Sequence, residues 1–246
     1  MEEKEIKIRK ASEIVIEIIN DLKKKASIGS SGEKLNQLAK KLMEEKGVIS
    51  SSFGYRGFPA YICVSVNEQL THGIPNEKKF ENGDLVSVDV SCSYQGFHAD
   101  SALTFIVGEG EQKKIDLLKV TKGSLDHVVR NIIPDHTTTR DIGEMVEKYV
   151  RQRGYYVIKE YGGHGIGKRL HEEPFIPNYA TKGKGDIIKE GMFICIEPLV
   201  QLDDNYIKVC DDGWTVISKN KKLNAHFEYT LKINKEGAEI LTKQDE

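Results

Sequence analysis

The sequence predicts a mixed α/β fold built from two similar halves. Helix-periodic and strand-like stretches follow one another in the order helix, helix, strands, and they do so twice along 246 residues. The two runs, about 5–107 and 109–235, have nearly equal length, and no low-complexity linker separates them. Residues 1–246 therefore read as one fused domain from a duplicated half-domain, with a site expected at the seam. With 39% hydrophobic and 30% charged residues, there is apolar material for a sizeable core beneath a solvated surface.

The first helix is predicted over about 5–25, where Ala11, Ile14, Val15, Ile18, Ile19 and Leu22 recur at three-and-four spacing. A break at 26–32 precedes a second helix. There Ser30 and Glu33 have capping-box spacing, Leu35, Leu38, Ala39, Leu42 and Met43 form the stripe, and Gly47 fits a left-handed stop. Strands are expected at about 60–66, 85–92 and 101–107, where β-branched and aromatic residues crowd. In the second half, a helix over about 111–131 carries Ile115, Leu118, Leu125, Val128, Val129 and Ile132. After Pro134 the next helix takes Thr138 or Thr139 as cap, Ile142, Met145, Val146 and Tyr149 as stripe, and Gly154 as stop. Strands follow at about 155–160, 192–201, 206–210, 214–218 and 225–233.

Charge and cysteine usage narrow the function. Thirty-six basic against 38 acidic residues give a net charge of -2, which excludes binding to nucleic acid by bulk charge, so no DNA partner is expected. The longest apolar runs, Ala60–Val64 and Met192–Ile196, are too short for a transmembrane helix. The start, MEEKEIKIRK, lacks the apolar core of a signal peptide, and a cytoplasmic protein is the expectation. Cys63, Cys92, Cys195 and Cys210 form no C-x-x-C pair, which argues against a disulfide framework or a Cys-rich zinc site.

Carboxylates inside apolar strands are the informative anomaly, because a buried unpaired charge is costly. Asp89 lies in Leu85-Val86-Ser87-Val88-Asp89-Val90, Glu197 in Ile194-Cys195-Ile196-Glu197-Pro198, and Glu228 in His226-Phe227-Glu228-Tyr229, while Asp100 opens an apolar run. The midpoint of 89 and 100 falls between Tyr94 and Gln95. A hairpin centred there makes Asp89 and Asp100 direct cross-strand neighbours, with Cβ atoms roughly 5 Å apart. Carboxylates that close require a shared proton or a cation. Any one of them alone is better explained as a turn cap or a lysine partner; four in one chain favour a metal site. Oxygen donors with few histidines favour Mn²⁺, Fe²⁺ or Co²⁺ over a thiolate-rich zinc site, with Zn²⁺ or Ni²⁺ as further alternatives for the pair. Two divalent ions would balance four carboxylates and a neutral histidine, the arrangement that two-metal hydrolysis needs.

The stretch Tyr161-Gly162-Gly163-His164-Gly165-Ile166-Gly167-Lys168-Arg169-Leu170-His171 nearly spells a phosphate-binding loop, but Arg169 stands where Ser or Thr must hold Mg²⁺. Its glycines instead read as a turn that brings the backbone close to the metals and presents His164 and His171. His72, in Thr71-His72-Gly73-Ile74-Pro75, occupies another such turn. His98, His127 and His136 have no comparable setting and read as surface or structural residues.

These residues occur in a longer series: Asn67-Glu68-x3-His72-Gly73-Ile74-Pro75, Val88-Asp89-Val90, Gly96-Phe97-His98-Ala99-Asp100, Gly163-His164-Gly165-Ile166-Gly167 with His171-Glu172-x-Pro174, Ile196-Glu197-Pro198 and Phe227-Glu228-x-Thr230. In that order, over about 5–235, they resemble the motif set of type I methionine aminopeptidases. The resemblance implies the duplicated pita-bread fold, a central antiparallel sheet covered by helices, and removal of the initiator methionine from nascent chains with a pair of divalent metals. It implies Asp89 as ligand of one metal, His164 and Glu197 as ligands of the other, and Asp100 and Glu228 as bridges. Glu197 matches the proton shuttle, His171 the group facing the developing oxyanion, and His72 the contact to the scissile amide nitrogen. Tyr55, Phe58, Cys63, Leu170 and Trp214 fall where the family builds its methionine pocket.

The departures are His226 where Gln is more usual, Tyr229 for a common His, Leu170 for an aromatic and Ser52 for Cys. None removes a ligand. The lack of a long insertion between His171 and Glu197, and of a zinc-binding extension before residue 1, points to the bacterial-like form, expected to act as a monomer. The same-fold rival is a proline-directed peptidase, and a different class is a non-catalytic pita-bread binding protein. Lys219, Lys221 and Lys222 are a candidate contact to the ribosome, weighed against a plain solvated turn.

Overall fold

The computed structural model describes residues 2–244. In chain order the elements are α1 (Glu3–Lys25), α2 (Gly32–Glu45), β1 (Ile49–Ser50), β2 (Cys63–Val66), β3 (Gln69–Thr71), β4 (Leu85–Tyr94), β5 (Phe97–Ile106), α3 (Gln112–Asn131), α4 (Thr139–Arg151), β6 (Tyr156–Val157), β7 (Gly162–Gly165), β8 (Glu172–Pro177), β9 (Phe193–Ile196), β10 (Leu199–Gln201), β11 (Ile207–Val209), β12 (Val216–Ser218), β13 (Asn224–His226), β14 (Tyr229–Asn234) and β15 (Gly237–Ile240). Two helices precede the strands in each half, as the periodicity predicts. No described helix is long and apolar enough to cross a membrane.

Apolar stripes explain the layering. Ile14, Ile18 and Leu22 of α1 share one buried cluster with Val86, Val88 and Val90 of β4, and α1 packs on β4 and β5. In the second half, Leu125 and Val128 of α3 and Ile142 and Val146 of α4 join the same cluster together with Leu231 and Ile233 of β14. Capping follows local chemistry. Thr138 closes a capping box with Asp141 at the start of α4, and Gly47 and Gly154 take φ of +65° and +81° just past α2 and α4.

Several details differ from expectation. The cap of α2 is Ser31, not Ser30: the Ser31 side chain accepts from Lys34 N at 3.4 Å. In α3 the buried face runs through Leu117, Val120, Thr121, Ser124 and Leu125, while Ile115 and Leu118 are only half-buried. Polar Thr121 and Ser124 can line that face because each hydroxyl donates within the helix, to Leu117 O and Thr121 O. The glycine-rich stretch expected as a turn supplies an interior strand, β7, between β9 and β8 in the order β15-β14-β9-β7-β8. Its glycines are needed for close approach: a Cβ at Gly163 would lie 2.1 Å from Cys195 O, and one at Gly165 would lie 2.2 Å from Glu173 O.

The strands expected at 192–201 and 225–233 are each broken once. β9 gives way to β10 across Glu197-Pro198, and β13 to β14 across Phe227-Glu228. β9 and β14 pair in one sheet, β10 and β13 in another. Ile196 lies opposite Tyr229 and Leu199 opposite His226, so the continued register sets Glu197 opposite Glu228 at the corner between sheets.

Candidate active site

Two ten-residue strands bring in the first pair of acids. The β4–β5 hairpin turns at Gln95-Gly96, both with positive φ (49° and 81°), as a two-residue primed turn demands. That centre is one residue later than expected. Asp89 therefore faces Ala102 and Asp100 faces Ser91, so the two acids are diagonal neighbours on one face, not a direct pair. Their carboxylates still approach, with an oxygen of each within 4.8 Å of the other.

The second pair, Glu197 and Glu228, comes from the corner described above. It is drawn to the first pair by hydroxyl clamps between β5 and the 226–230 segment. Thr104 Oγ1 accepts from His226 N and donates to His226 O, both at 2.8 Å. Thr230 Oγ1 accepts from Asp100 N at 3.0 Å and donates to Asp100 O at 2.7 Å. Ser101 Oγ donates to Glu228 O at 2.8 Å, and Glu228 N donates to Ala102 O.

His164 enters from β7 beside Cys195 of β9. Its Nδ1 lies 2.9 Å from Gly165 O, so Nδ1 carries the proton and Nε2 keeps its lone pair. Nε2 lies 3.9 Å from Glu197 and 4.0 Å from Glu228. Burial lowers the pKa of His164 to about 3, so the ring is neutral and can donate that lone pair.

The donor set fits divalent cations. Ligand atoms of Asp89, Asp100 and Glu228 lie within 4.8 Å of one another, as do those of His164, Cys195 and Glu228, and of Asp100, His164 and His171. Glu228 and Asp100 each belong to two of these groups, the position a bridging carboxylate needs. Burial, then the charge of its neighbours, pushes Asp100, Glu197 and Glu228 well above the usual carboxylate range, and burial raises Asp89. Asp100 Oδ1 and Glu228 Oε1 are buried without a hydrogen-bond partner among the described residues. A cation would answer both the repulsion and the orphaned oxygens.

A cavity of about 340 Å³ opens onto this floor, lined by Tyr55, Phe58, Cys63, His72, Asp89, Asp100, Leu170, His171, Glu197 and Trp214 among others. Every residue expected at the site thus lines it except His164 and Glu228, which form the layer behind. A larger open groove of about 690 Å³ along α3 and α4 contains none of them. Phe58 and Trp214 meet edge to face at 5.1 Å. His72, held at φ +54°, turns its ring toward Tyr161 and Trp214. Tyr55 Oη lies 2.8 Å from His171 Nδ1. With the phenol donating, the neutral His171 ring carries its proton on Nε2. Burial, then His72 and Arg56, lower its pKa to about 4.

The sequence reading missed some neighbours of the acids and some of the lining. Cys195 sits against His164 and Glu228, its Sγ 3.5 Å from Thr230 Oγ1, and burial and the nearby carboxylates keep it a thiol. Its place two residues before Glu197 was the available signal. His226, treated as a departure from the family pattern, is buried with Nε2 at 3.5 Å from Glu197. Arg56, Ser52 and Ser91 line the cavity itself. His98 stays outside it, bonded to Ser51 at 2.7 Å. In the basic turn, Lys222 pairs with Asp203 at 2.8 Å.

Such a floor on such a fold defines a metallopeptidase, and the chain belongs to metallopeptidase family M24, whose model matches residues 6–239. It is 39% identical over 240 residues to the methionine aminopeptidase of Mycoplasma capricolum, spanning 97% of this chain and 95% of that protein. Methionine aminopeptidase 1 of Bacillus subtilis is also 39% identical, with 96% and 95% covered. The crystal structure of methionine aminopeptidase from Thermotoga maritima superposes with a TM-score of 0.96 at 38% identity, covering 99% of this chain and 98% of that one. The prolidase of Pyrococcus furiosus, at 22% identity and a TM-score of 0.79, shares the fold. That fold is the pita-bread fold.

Proposed function

We propose that this chain is a metal-dependent aminopeptidase that removes the initiator methionine from nascent proteins in the cytoplasm, working as one catalytic unit of pseudo-repeated halves. The observation that carries the reading is the meeting of Asp89, Asp100, His164, Glu197 and Glu228 beside an apolar pocket. Asp89 would hold one divalent ion, His164 and Glu197 a second, with Asp100 and Glu228 shared; Mn²⁺, Fe²⁺ and Co²⁺ suit this donor set. When bound, the ions supply Lewis-acid polarisation of the scissile carbonyl and of a water.

The chain's own residues supply the rest. Phe58, Cys63, Leu170, Trp214 and Tyr55 form an apolar, partly sulfur-lined wall suited to a flexible thioether. The Glu197 carboxylate receives a proton from the attacking water and delivers it to the departing amine nitrogen. His171 donates its Nε2 hydrogen to the carbonyl oxygen as negative charge grows there, oriented by Tyr55 at its other nitrogen. His72, neutral because burial lowers its pKa to about 4, contacts the scissile amide nitrogen.

The test compares peptides on protein stripped of metal and reloaded with each ion in turn. Release of methionine from Met-Ala-x peptides with x-Pro-x peptides left intact is expected. Intact Met-Ala-x with every ion would overturn the reading, and preferred cleavage of x-Pro-x would move the chain to the proline-directed peptidases.

A further inference from the structure

Charge around the cavity is unevenly placed. The floor holds the carboxylates, the histidines carry no fixed charge, and Arg56 is the single lysine or arginine of the lining. It stands on the exposed rim, in the turn Gly54-Tyr55-Arg56-Gly57. The turn is closed by backbone bonds from Gly54 N to Phe58 O at 2.9 Å and from Gly57 N to Gly54 O at 3.1 Å. Within it Arg56 adopts φ 48° and ψ 26°, left-handed backbone that a side chain with a Cβ rarely takes. Such strain persists where the surroundings enforce it.

The guanidinium lies 5.5 Å from the Tyr55 ring, and the same tyrosine bonds His171. Arg56 is near enough for its charge to oppose protonation of His171. No carboxylate lies within ion-pair distance of it among the described residues. Other arginines here, such as Arg9 and Arg140, have acidic partners. Arg56 thus presents an unmatched, always-charged fork beside a group that faces the reacting carbonyl.

We propose that Arg56 is a specificity residue that receives an acidic side chain of the substrate one or two residues beyond the scissile bond. The proposal rests on the aminopeptidase reading above. With the methionine seated between Phe58 and Trp214 and its amine toward the carboxylates, the rest of the peptide leaves by the open side, past His171 and Tyr55. Each extended residue advances about 3.3–3.6 Å, so the first residues past the cut lie within reach of a long side chain on that rim. A carboxylate there gains a two-pronged hydrogen bond, and a lysine meets like charge.

The experiment uses metal-loaded protein and three C-terminally amidated peptides, Met-Ala-Glu-Gly, Met-Ala-Gln-Gly and Met-Ala-Lys-Gly. The wild-type protein should favour Glu over Lys in kcat/KM by roughly fivefold, mainly through KM, since a rim charge pair is a modest interaction. Raising the salt to 0.5 M should flatten the preference. Arg56→Asn, which tolerates left-handed backbone, should bring the Glu-to-Lys ratio to about one, Arg56→Lys should keep its direction, and Arg56→Glu should invert it. A ratio of one in the wild-type protein, or a preference that survives Arg56→Asn, overturns the inference and leaves the aminopeptidase reading standing. Failure of the wild-type protein to cleave all three peptides removes that reading and the inference with it.

Discussion

At the scale of single residues, the site is a set of liabilities that a cation turns into an asset. Asp100 is buried with Glu228, Asp89 and Glu197 around it, and one of its oxygens has no partner. Asp100→Asn should therefore leave the metal-free protein at least as resistant to heat as the wild type, because it removes one of four crowded acids. The same change should abolish the stabilisation by added metal. For the wild type, divalent ion at a hundredfold excess over Kd contributes about 2.7 kcal/mol, which for a chain of this length is roughly 5–10 °C in Tm. Thermal scans of both proteins with and without Mn²⁺ decide it, and a full metal-dependent shift in Asp100→Asn would count against the donor set. These acids were legible because each interrupts an apolar run, a conflict that a sequence displays openly. Their exact neighbours were not. Whether Asp100 faces Asp89 or Ser91 turns on a single residue of turn placement, and the left-handed backbone at Gln95 decided it. Cys195 and His226 each lie two residues before an acid, but they were missed as neighbours of the acids because the same alternation fits a plain core side chain.

Among elements, the decisive contact is the seam between β5 and the segment that links β13 to β14. Thr104 and Thr230 act reciprocally: each takes both the N–H and the C=O of one residue across the seam. Removing either hydroxyl leaves buried backbone groups unpaired, a loss of about 1–3 kcal/mol. Thr230→Val should lower the urea midpoint accordingly with an unchanged slope, and Thr230→Ser should recover most of the loss. Because Thr230 grips the backbone of Asp100, Thr230→Val should also weaken metal binding in titration calorimetry, and stability near that of the wild type would refute the clamp. Helices and their stops were readable here because caps and apolar stripes are local signals, as at Thr138 and Gly154. The strand Gly162–Gly165 was not, since its glycines lack any strand preference of their own. They are there because the carbonyl of Cys195 leaves no room for a side chain at Gly163, a fact of tertiary packing alone.

Across the whole molecule, the first helix and the last strands are tied by a charge network. Arg9 bonds both oxygens of Glu239 in β15 at 2.6 and 2.7 Å and Glu5 at 2.9 Å, while Lys232 of β14 holds Glu5 at 2.7 Å. The helix–helix–strand repeat told of two halves, but a link between residues 230 positions apart has no local signature. The hydrogen bond from Arg9 outweighs burial and lowers the Glu239 pKa to about 2, below its ordinary 4.5. A depressed carboxylate pKa adds stability above the unfolded value and loses it as the pH falls toward the folded one. Glu239 is 39% exposed, so screening holds the contribution to about 1 kcal/mol or less. The carboxylates of the site have raised pKa values and contribute with the opposite sign, so the acid response of the wild type alone mixes both. The difference between wild type and Glu239→Gln isolates the pair. It should stand at its full value from pH 5 to 7, shrink steadily between about pH 4.5 and 2, and fall in 1 M salt. Urea midpoints across that range measure it. A difference independent of pH would mean that Glu239 joins the two ends by packing and not by charge.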